Sequence, residues 1–310
     1  MAKKILVVGL NPVWQRIIFL PQLELGKINR ASDVIHVASG KGLNYSKVLK
    51  YLGTEPILAG FAGGDRGVKF IKGVNKLEIE SIYIQTENTT RSCTTLISEN
   101  PHNVTEIIDP SPQISEAEAS SLLEKIQEIA DDCGAIVLSG THPNGMPQKI
   151  YKEILACFKD KLSVIDAYMD IKAVLESNPK MLKVNQSELF TITGKNNVDQ
   201  AAAICFNQHK IEYLGVTNGP DDAFFYTKKQ KYTYKLPNIT VLNSTGAGDA
   251  VGAAMVYKHF IEQEDIDTSF LFGLACGLAC CETNLPSEFD LVRANEMISK
   301  IEWTMSSWKK

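Results

Sequence analysis

The chain opens with an unbroken apolar run, Ile5-Leu6-Val7-Val8, that stops at Gly9-Leu10-Asn11-Pro12. So short a run, ended by turn residues, predicts a strand buried on both faces. The pattern then changes. Ile17-Ile18-Phe19-Leu20 and Val34-Ile35-His36-Val37 are β-like with no helical period between them, so residues 13–39 are expected to form a small sheet set apart from the main body. A helix follows, with Val48, Leu49 and Leu52 apolar and Gly53 as its stop. Residues 56–61 read as a strand running into the turn Ala62-Gly63-Gly64-Asp65, and 67–74 as a helix. β character resumes over 81–108, in 81–85 and 92–98, before a helix over 115–131 with Leu122, Leu123, Ile126 and Ile129 on one face.

From Ala135 onward the alternation is regular. Strands at 135–138, 162–166, 181–185 and 212–217 are separated by helical stretches at 147–158, 171–176 and 198–209, and a hairpin joins 223–226 to 231–234. Strands alternating with helices predict a parallel sheet covered on both faces. Polar residues recur where these strands end: Asn11, Ser139, Asp166, Asn185, Thr217 and Asn218. In an open α/β sheet such positions line one edge of one cleft.

Composition adds limits. The 310 residues are 44% hydrophobic and 22% charged, as in a globular protein of one large domain, or one with an accessory lobe. A net charge of −4 argues against a nucleic-acid or anionic-membrane partner. The longest apolar run, 270–281, is shorter than the roughly 20 residues that span a bilayer, and the apolar start is too short for a signal peptide. Seven cysteines without a C-x-x-C fit reduced thiols, those at 276, 280 and 281 as packing residues, and a cytoplasmic location is expected. No internal repeat appears.

The chemistry concentrates in Asn243-Ser244-Thr245-Gly246-Ala247-Gly248-Asp249-Ala250, where small residues give way to a helical pattern. Backbone amides free of bulky side chains can point at one anion there, beside the positive end of the helix dipole. A carboxylate in a phosphate-binding turn needs a reason, and Asp249 as a base toward a hydroxyl attacking a phosphoryl group supplies one. A capped helix after a tight glycine turn is the plainer alternative. Gly246-x-Gly248 lacks the third glycine of a dinucleotide fingerprint, Val251 standing there, and no Gly-Lys-Ser/Thr follows at Walker spacing. A second turn, Gly40-Lys41-Gly42-Leu43-Asn44, brings a cation, free amides and a hydroxyl-binding amide to a helix start. Its alternative is a solvated lysine at a helix N-terminus, and Arg91, alone at a strand start, reads as solvated. Asn185-x-x-Glu188 by itself reads as a loop and helix start.

Taken together, Gly40-Lys41-Gly42-x-Asn44 and Thr245-Gly246-Ala247-Gly248-Asp249 resemble the two signature regions of the ribokinase-like, or phosphofructokinase B, family of carbohydrate kinases, over nearly the whole chain. Leu10-Asn11-Pro12, Thr90-Arg91, Ser139-Gly140-Thr141-x-Pro143-x-Gly145 and Lys183-x-Asn185 are most similar to the branch acting on sugar phosphates, 1-phosphofructokinase and tagatose-6-phosphate kinase. The resemblance implies a three-layer α/β fold, with residues 1–12, 40–80 and 110–310 as the main domain and 13–39 and 81–109 as a β-sheet lid. It implies Asp249 as base and the amides of Gly246, Ala247 and Gly248 as anion hole. For the acceptor it implies Asn11, Gln15, Gly40, Lys41, Asn44, Arg91 and Ser139, with Lys41 and Arg91 on the existing phosphate. For ATP it implies Lys183, Asn185, Glu188, Thr217 and Gly219, with Asn185 and Glu188 holding Mg2+ through water. A homodimer through the lid is also implied. The sequence departs from the family pattern at Gln15, where an aspartate is usual, at Ser39 and Asp222, where glycines are usual, and at Asp166-Ala167-Tyr168-Met169 in place of a Thr-Ser-Gly continuation. These departures keep two other readings open: a kinase of an unphosphorylated sugar or nucleoside, and a sugar-phosphate-binding protein with little catalysis.

Overall fold

The computed structural model describes residues 4–147, 149–167 and 171–308; Tyr168 and Met169, singled out above, lie outside them. In chain order the strands are β1 (Lys4–Val8), β2 (Val13–Leu20), β3 (Asp33–Ser39), β4 (Pro56–Gly63), β5 (Glu80–Thr86), β6 (Arg91–Ser98) and β7 (Asn103–Ile108), then β8 (Cys133–Ser139), β9 (Leu162–Asp166), β10 (Met181–Asn185), β11 (Tyr213–Thr217), β12 (Ala223–Thr227), β13 (Gln230–Lys235) and β14 (Glu302–Ser307). Ten join in one sheet in the order β14-β13-β12-β11-β10-β9-β8-β1-β4-β5. From β11 to β5 all neighbours are parallel, and β12 to β14 extend the sheet antiparallel.

Strand alternation splits the interior into two cores. Ile5 and Val7 face one and Leu6 and Val8 the other, as period two requires. Helices α1 (Lys41–Tyr51) and α2 (Gly64–Lys76) cover the first face; α3 (Glu116–Ile129), α4 (Ile150–Ala156), α5 (Ile171–Leu175), α6 (Gln186–Thr193) and α7 (Val198–Gln208) cover the second; α8 (Ala247–Val256), α9 (Ile266–Cys281) and α10 (Leu291–Ile298) return to the first. The result is the expected three-layer α/β fold.

The remaining strands form a separate sheet, β3-β2-β6-β7. Residues 81–85, expected in that small sheet, are instead part of β5 and pair in parallel with β4 at the edge of the main one. The reason is two-sidedness: Ile82 and Ile84 pack against one core and Tyr83 against the other, so both faces of this strand need cover. The sequence reading did not anticipate α10 or β14. All six residues of β14 are exposed, so no apolar period marks it, and it exists through its pairing with β13. No helix among the described residues is long and apolar enough to cross a membrane. All seven cysteines are free, with Cys276 and Cys280 buried and Cys281 half-buried in α9.

The helix that begins after the glycine turn at 243–246, α8, is held by backbone-range packing. A Cβ on Gly252 of α8 would lie 1.8 Å from the Tyr45 hydroxyl of α1, and one on Gly273 of α9 would lie 2.4 Å from the Val251 carbonyl. Small residues thus let α1, α8 and α9 approach closely, and core density leaves nowhere for an added methyl. Gly252→Ala is expected to cost about 1–3 kcal/mol of stability by overpacking, read as a lower denaturant midpoint. A midpoint equal to that of the unsubstituted protein would contradict this packing.

Candidate active site

Helix α8 starts at a residue only glycine accommodates easily. Gly246 has φ 81° and caps the helix without a side-chain bond, and a Cβ there would lie 2.4 Å from Ser287 Oγ. Asn243 Oδ1 accepts from the Thr245 amide at 2.9 Å, and Ser287 Oγ donates to the Gly246 carbonyl at 3.0 Å. Among the described residues the amides of Gly246 and Gly248 meet no protein acceptor, whereas the Ala247 amide donates to the Ser244 carbonyl at 3.2 Å. The three-amide anion hole is therefore corrected: the amide of Ala247 is engaged in the turn itself, as the geometry of a closed turn before a helix demands, and those of Gly246 and Gly248 remain available at the dipole's positive end.

Asp249, in the first turn of α8, is buried, and Asn44 Nδ2 donates to its Oδ2 at 2.8 Å. Lys41 Nζ stands 3.9 Å from Asp249 Oδ1. The same ammonium is 2.5 Å from Asp166 Oδ1, while Asp166 Oδ2 accepts from the Tyr45 hydroxyl at 2.6 Å and from Lys183 Nζ at 2.9 Å. Lys183 also donates to the Gly248 carbonyl at 2.7 Å. One carboxylate at the end of β9 thus ties α1 to β10, and Lys183 carries the link on to the first turn of α8.

These contacts set the ionisation. Burial pushes the Asp249 carboxyl up to about 6, with Asp166 adding repulsion and Lys41, Asn44 and Lys183 restraining the rise. For Asp166, burial is outweighed by Lys183, Lys41 and the Tyr45 hydroxyl, and its carboxyl falls to about 2. Burial pulls Lys41 down, but Asp166 and Asp249 together hold it above its ordinary value. A buried carboxyl with a raised pKa facing an immobilised cation is the kind of group that accepts a proton during a reaction.

Beside this cluster lies a cavity of about 440 Å³, counting its open mouth, lined by Gly9, Asn11, Ser39, Gly40, Lys41, Tyr83, Arg91 and Ser139 among others. It does not reach Asp249 directly; Lys41 joins the two. Four of the residues that line it each carry a buried side-chain atom without a hydrogen-bond partner: Asn11 Oδ1, Arg91 Nε, Ser139 Oγ and the Tyr83 hydroxyl. Buried polar groups are nearly always paired, so four orphans converging on one cavity indicate a missing polar ligand. Arg91 is the telling member. Its Nη2 donates only to the Asn11 carbonyl, at 3.4 Å, it forms no ion pair among the described residues, and burial lowers its pKa. An uncompensated, partly buried guanidinium awaits an anion.

Asn185 and Glu188 form a capping box at the start of α6: Asn185 Oδ1 accepts from the Glu188 amide at 2.8 Å, and Glu188 Oε2 accepts from the Asn185 amide at 2.8 Å. No group of three or more His, Cys, Asp or Glu suited to a metal occurs among the described residues. That donor set fits Mg2+ only as an ion carried on phosphates and keeping its waters, to which Asn185 and Glu188 would bond. Thr217, beside Asn185 in register, and Gly219 lie at the end of β11 on the same sheet edge, while Lys183 is turned inward to Asp166. Gln15 is buried and donates to Thr95 Oγ1 at 2.7 Å. Ser39 lines the cavity and Asp222 is exposed.

Three residues escaped the sequence reading. Tyr45 follows Lys41 by four positions on α1, a spacing that puts both on one helix face. Asp166 was noted as a strand end but not as the hub. Ser287 lies in a loop with no local pattern, and no signal points to it.

The sequence matches the pfkB family of carbohydrate kinases over residues 2–289. Among solved structures, it superposes on one from Staphylococcus aureus provisionally assigned as a phosphofructokinase, with TM-score 0.78 and 26% identity over 98% of this chain and 100% of that one. A Thermotoga maritima structure described as a possible 1-phosphofructokinase gives TM-score 0.88 at 20% identity over 99% and 100%. Escherichia coli phosphofructokinase-2 gives 0.87 at 20% over 97% and 99%.

Asp166→Asn is expected to destabilise the protein by about 3–5 kcal/mol, because it leaves Lys183 buried without its counterion. The folded-state carboxyl lies below its unfolded value, so its stabilisation is complete above about pH 4 and is lost as pH falls toward 2. Urea unfolding of both proteins across that window checks it: the difference between them should shrink as pH falls.

Proposed function

Since the chain belongs to the pfkB family of carbohydrate kinases, and so transfers a phosphoryl group to an alcohol, we propose that its acceptor is a phosphorylated ketohexose, of the fructose 1-phosphate or tagatose 6-phosphate type, with ATP as donor. The observation that carries this reading is Arg91, a partly buried cation without a counterion on the wall of the cavity beside Lys41. A free sugar has no use for it; a phosphate monoester does.

Asp249 takes the proton of the acceptor hydroxyl as the oxygen attacks the γ-phosphorus. The bond from that phosphorus to the bridging oxygen breaks, and ADP leaves with the electron pair. Asn44, bonded to Asp249 Oδ2, orients the carboxylate. The amides of Gly246 and Gly248 receive charge developing on the transferring group. Bound Mg2+ would supply neutralisation of the phosphate oxygens, its waters held by Asn185 and Glu188. Lys41, pinned between Asp166 and Asp249, serves the reacting end of the acceptor. That leaves the existing phosphate, at the opposite end of a ketohexose, to Arg91. Asn11, Gly40 and Ser139 line the space between, Gln15 supports its small-sheet side, and Thr217, Gly219 and the Lys183 end of β10 mark the nucleotide side.

The small sheet serves as the lid that excludes water as a competing acceptor. Val34, Ile107 and Ile108 on it, and Leu25 and Ile28 on the loop after β2, are exposed apolar residues, which supports a homodimer that covers them.

Asp249→Asn should lower turnover roughly 10²–10⁴-fold while nucleotide affinity stays close to normal; near-normal turnover would refute the assigned base. With the base raised to about 6, kcat/KM should fall below that pH, as Asp249 becomes protonated and cannot accept a proton. A pH profile flat from 5 to 8 would contradict it. Arg91→Gln, assayed as ADP release against fructose 1-phosphate, tagatose 6-phosphate, fructose 6-phosphate and the free sugars, should raise KM for phosphorylated acceptors alone. Equal effects on free sugars would favour an unphosphorylated acceptor. Binding without turnover by the unsubstituted protein would favour a binding role.

A further inference from the structure

Of the four orphaned atoms on residues lining the acceptor cavity, three belong to residues that the family resemblance already implied for the acceptor. The fourth is the Tyr83 hydroxyl, on a strand that the sequence assigned to the small sheet. We infer that Tyr83 is a further acceptor-binding residue, its hydroxyl donating a hydrogen bond to the phosphate of the sugar phosphate at the end of the site remote from Asp249. The inference rests on the phosphosugar reading above.

Sheet order gives the direction. Along the carboxyl edge, Thr217 ends β11, Asn185 β10, Asp166 β9 and Ser139 β8, with Asn11 following β1; β4 and then β5 lie beyond. The nucleotide end is therefore over β10 and β11, and the reacting carboxylate sits beside Asp166. Tyr83, on β5, stands two strands past β1, roughly 10 Å farther from the nucleotide at ordinary strand spacing. Arg91, which begins β6 just after β5, lines the same cavity. The far end of the cavity thus holds a guanidinium and a phenol, both short of a partner.

The phenol is fixed rather than free to turn away. Its ring meets Phe70 edge-on, with centroids 5.4 Å apart at 87°, and packs against the core beneath the sheet edge. Burial raises its pKa well above the ordinary tyrosine value, so the proton stays on the oxygen and is available to an anion. A purely structural tyrosine would bond its hydroxyl within the protein or be a phenylalanine, since an unpaired buried hydroxyl costs stability. Two donors of different geometry around one phosphate also discriminate: Arg91 supplies charge, and Tyr83 fixes which oxygen is reached.

Tyr83→Phe removes only the oxygen and leaves the Phe70 contact. With the phosphosugar that the unsubstituted enzyme uses best, KM is expected to rise roughly 10- to 100-fold, as for a hydrogen bond to a charged group. The loss should be carried by KM rather than kcat, with a much smaller change for the corresponding free sugar. The thermal midpoint of the unliganded protein should equal or exceed that of the original, because an unpaired polar group has gone. An unchanged KM, an equal loss on phosphorylated and free sugars, or a lowered midpoint with no change in KM would each overturn the assignment. The two readings fail separately: an unsubstituted enzyme that uses only free sugars removes both, whereas one that uses a phosphosugar while the variant matches it removes Tyr83 alone.

Discussion

The site depends on one buried carboxylate. Asp166 has no exposed side-chain surface, yet it receives two ammonium groups and a phenol. Alone in that position it would be costly in its charged form; with Lys41, Lys183 and Tyr45 around it, the charged form is favoured over the neutral one. The three partners come from two elements, two from α1 and one from β10, and Lys183 passes the connection on to the Gly248 carbonyl in the first turn of α8. Moving any of these elements would break a contact to a fully desolvated charge, so the arrangement is rigid in a way that surface ion pairs are not.

That rigidity bears on the proposed role of Asp249 as a base. Two carboxylates share the neighbourhood of Lys41, at 2.5 Å and 3.9 Å, but Lys183 bonds only the first of them, so burial raises Asp249 while Lys183 and Lys41 together overcome it at Asp166. Asp166 is driven down to about 2 and Asp249 is left up at about 6. Two groups of the same chemistry are thereby separated into a permanent anion and a proton acceptor, and environment alone makes the difference. The close packing of α8 on α1 and α9 matters for the same reason, since a shift of Asp249 toward Lys41 would lower its carboxyl.

Much of this was legible in the sequence, for definable reasons. Period-two and apolar-run patterns located the parallel strands, and the polar residues ending those strands, Asn11, Ser139, Asp166, Asn185 and Thr217, are carried on one sheet edge. The turn at 243–250 could be read because it compresses its chemistry into eight consecutive residues. What could not be read depends on tertiary partners. Residues 81–85 look the same in a lid as in an edge strand, and only the cover on both faces decides. Asp166 as a strand end says nothing about which cations reach it. Ser287 and β14 owe their places to chain segments far away in sequence. The Ala247 amide's bond within the turn, likewise, leaves no trace in composition.

Gln15 is the departure that a sequence comparison would weigh most heavily, and its surroundings account for it. Its side chain is buried and donates to Thr95 Oγ1 at 2.7 Å; Thr95 in turn donates to Glu106 Oε1 at 3.4 Å, and Thr245, in the turn before α8, donates to the same oxygen at 3.3 Å. The three donors point one way and end on a single carboxylate, which sits across the small sheet from position 15 and reaches the body of the protein. An aspartate at 15 would have no proton to give Thr95, whose one hydroxyl hydrogen cannot serve two carboxylates, and it would place a buried negative charge near the exposed Glu106. With Glu106 in place, a neutral donor at 15 is the residue that satisfies every group in the chain. The altered position therefore belongs with the carboxylate at 106 as one arrangement, and the loss of charge at 15 does not by itself weaken the case for a working kinase.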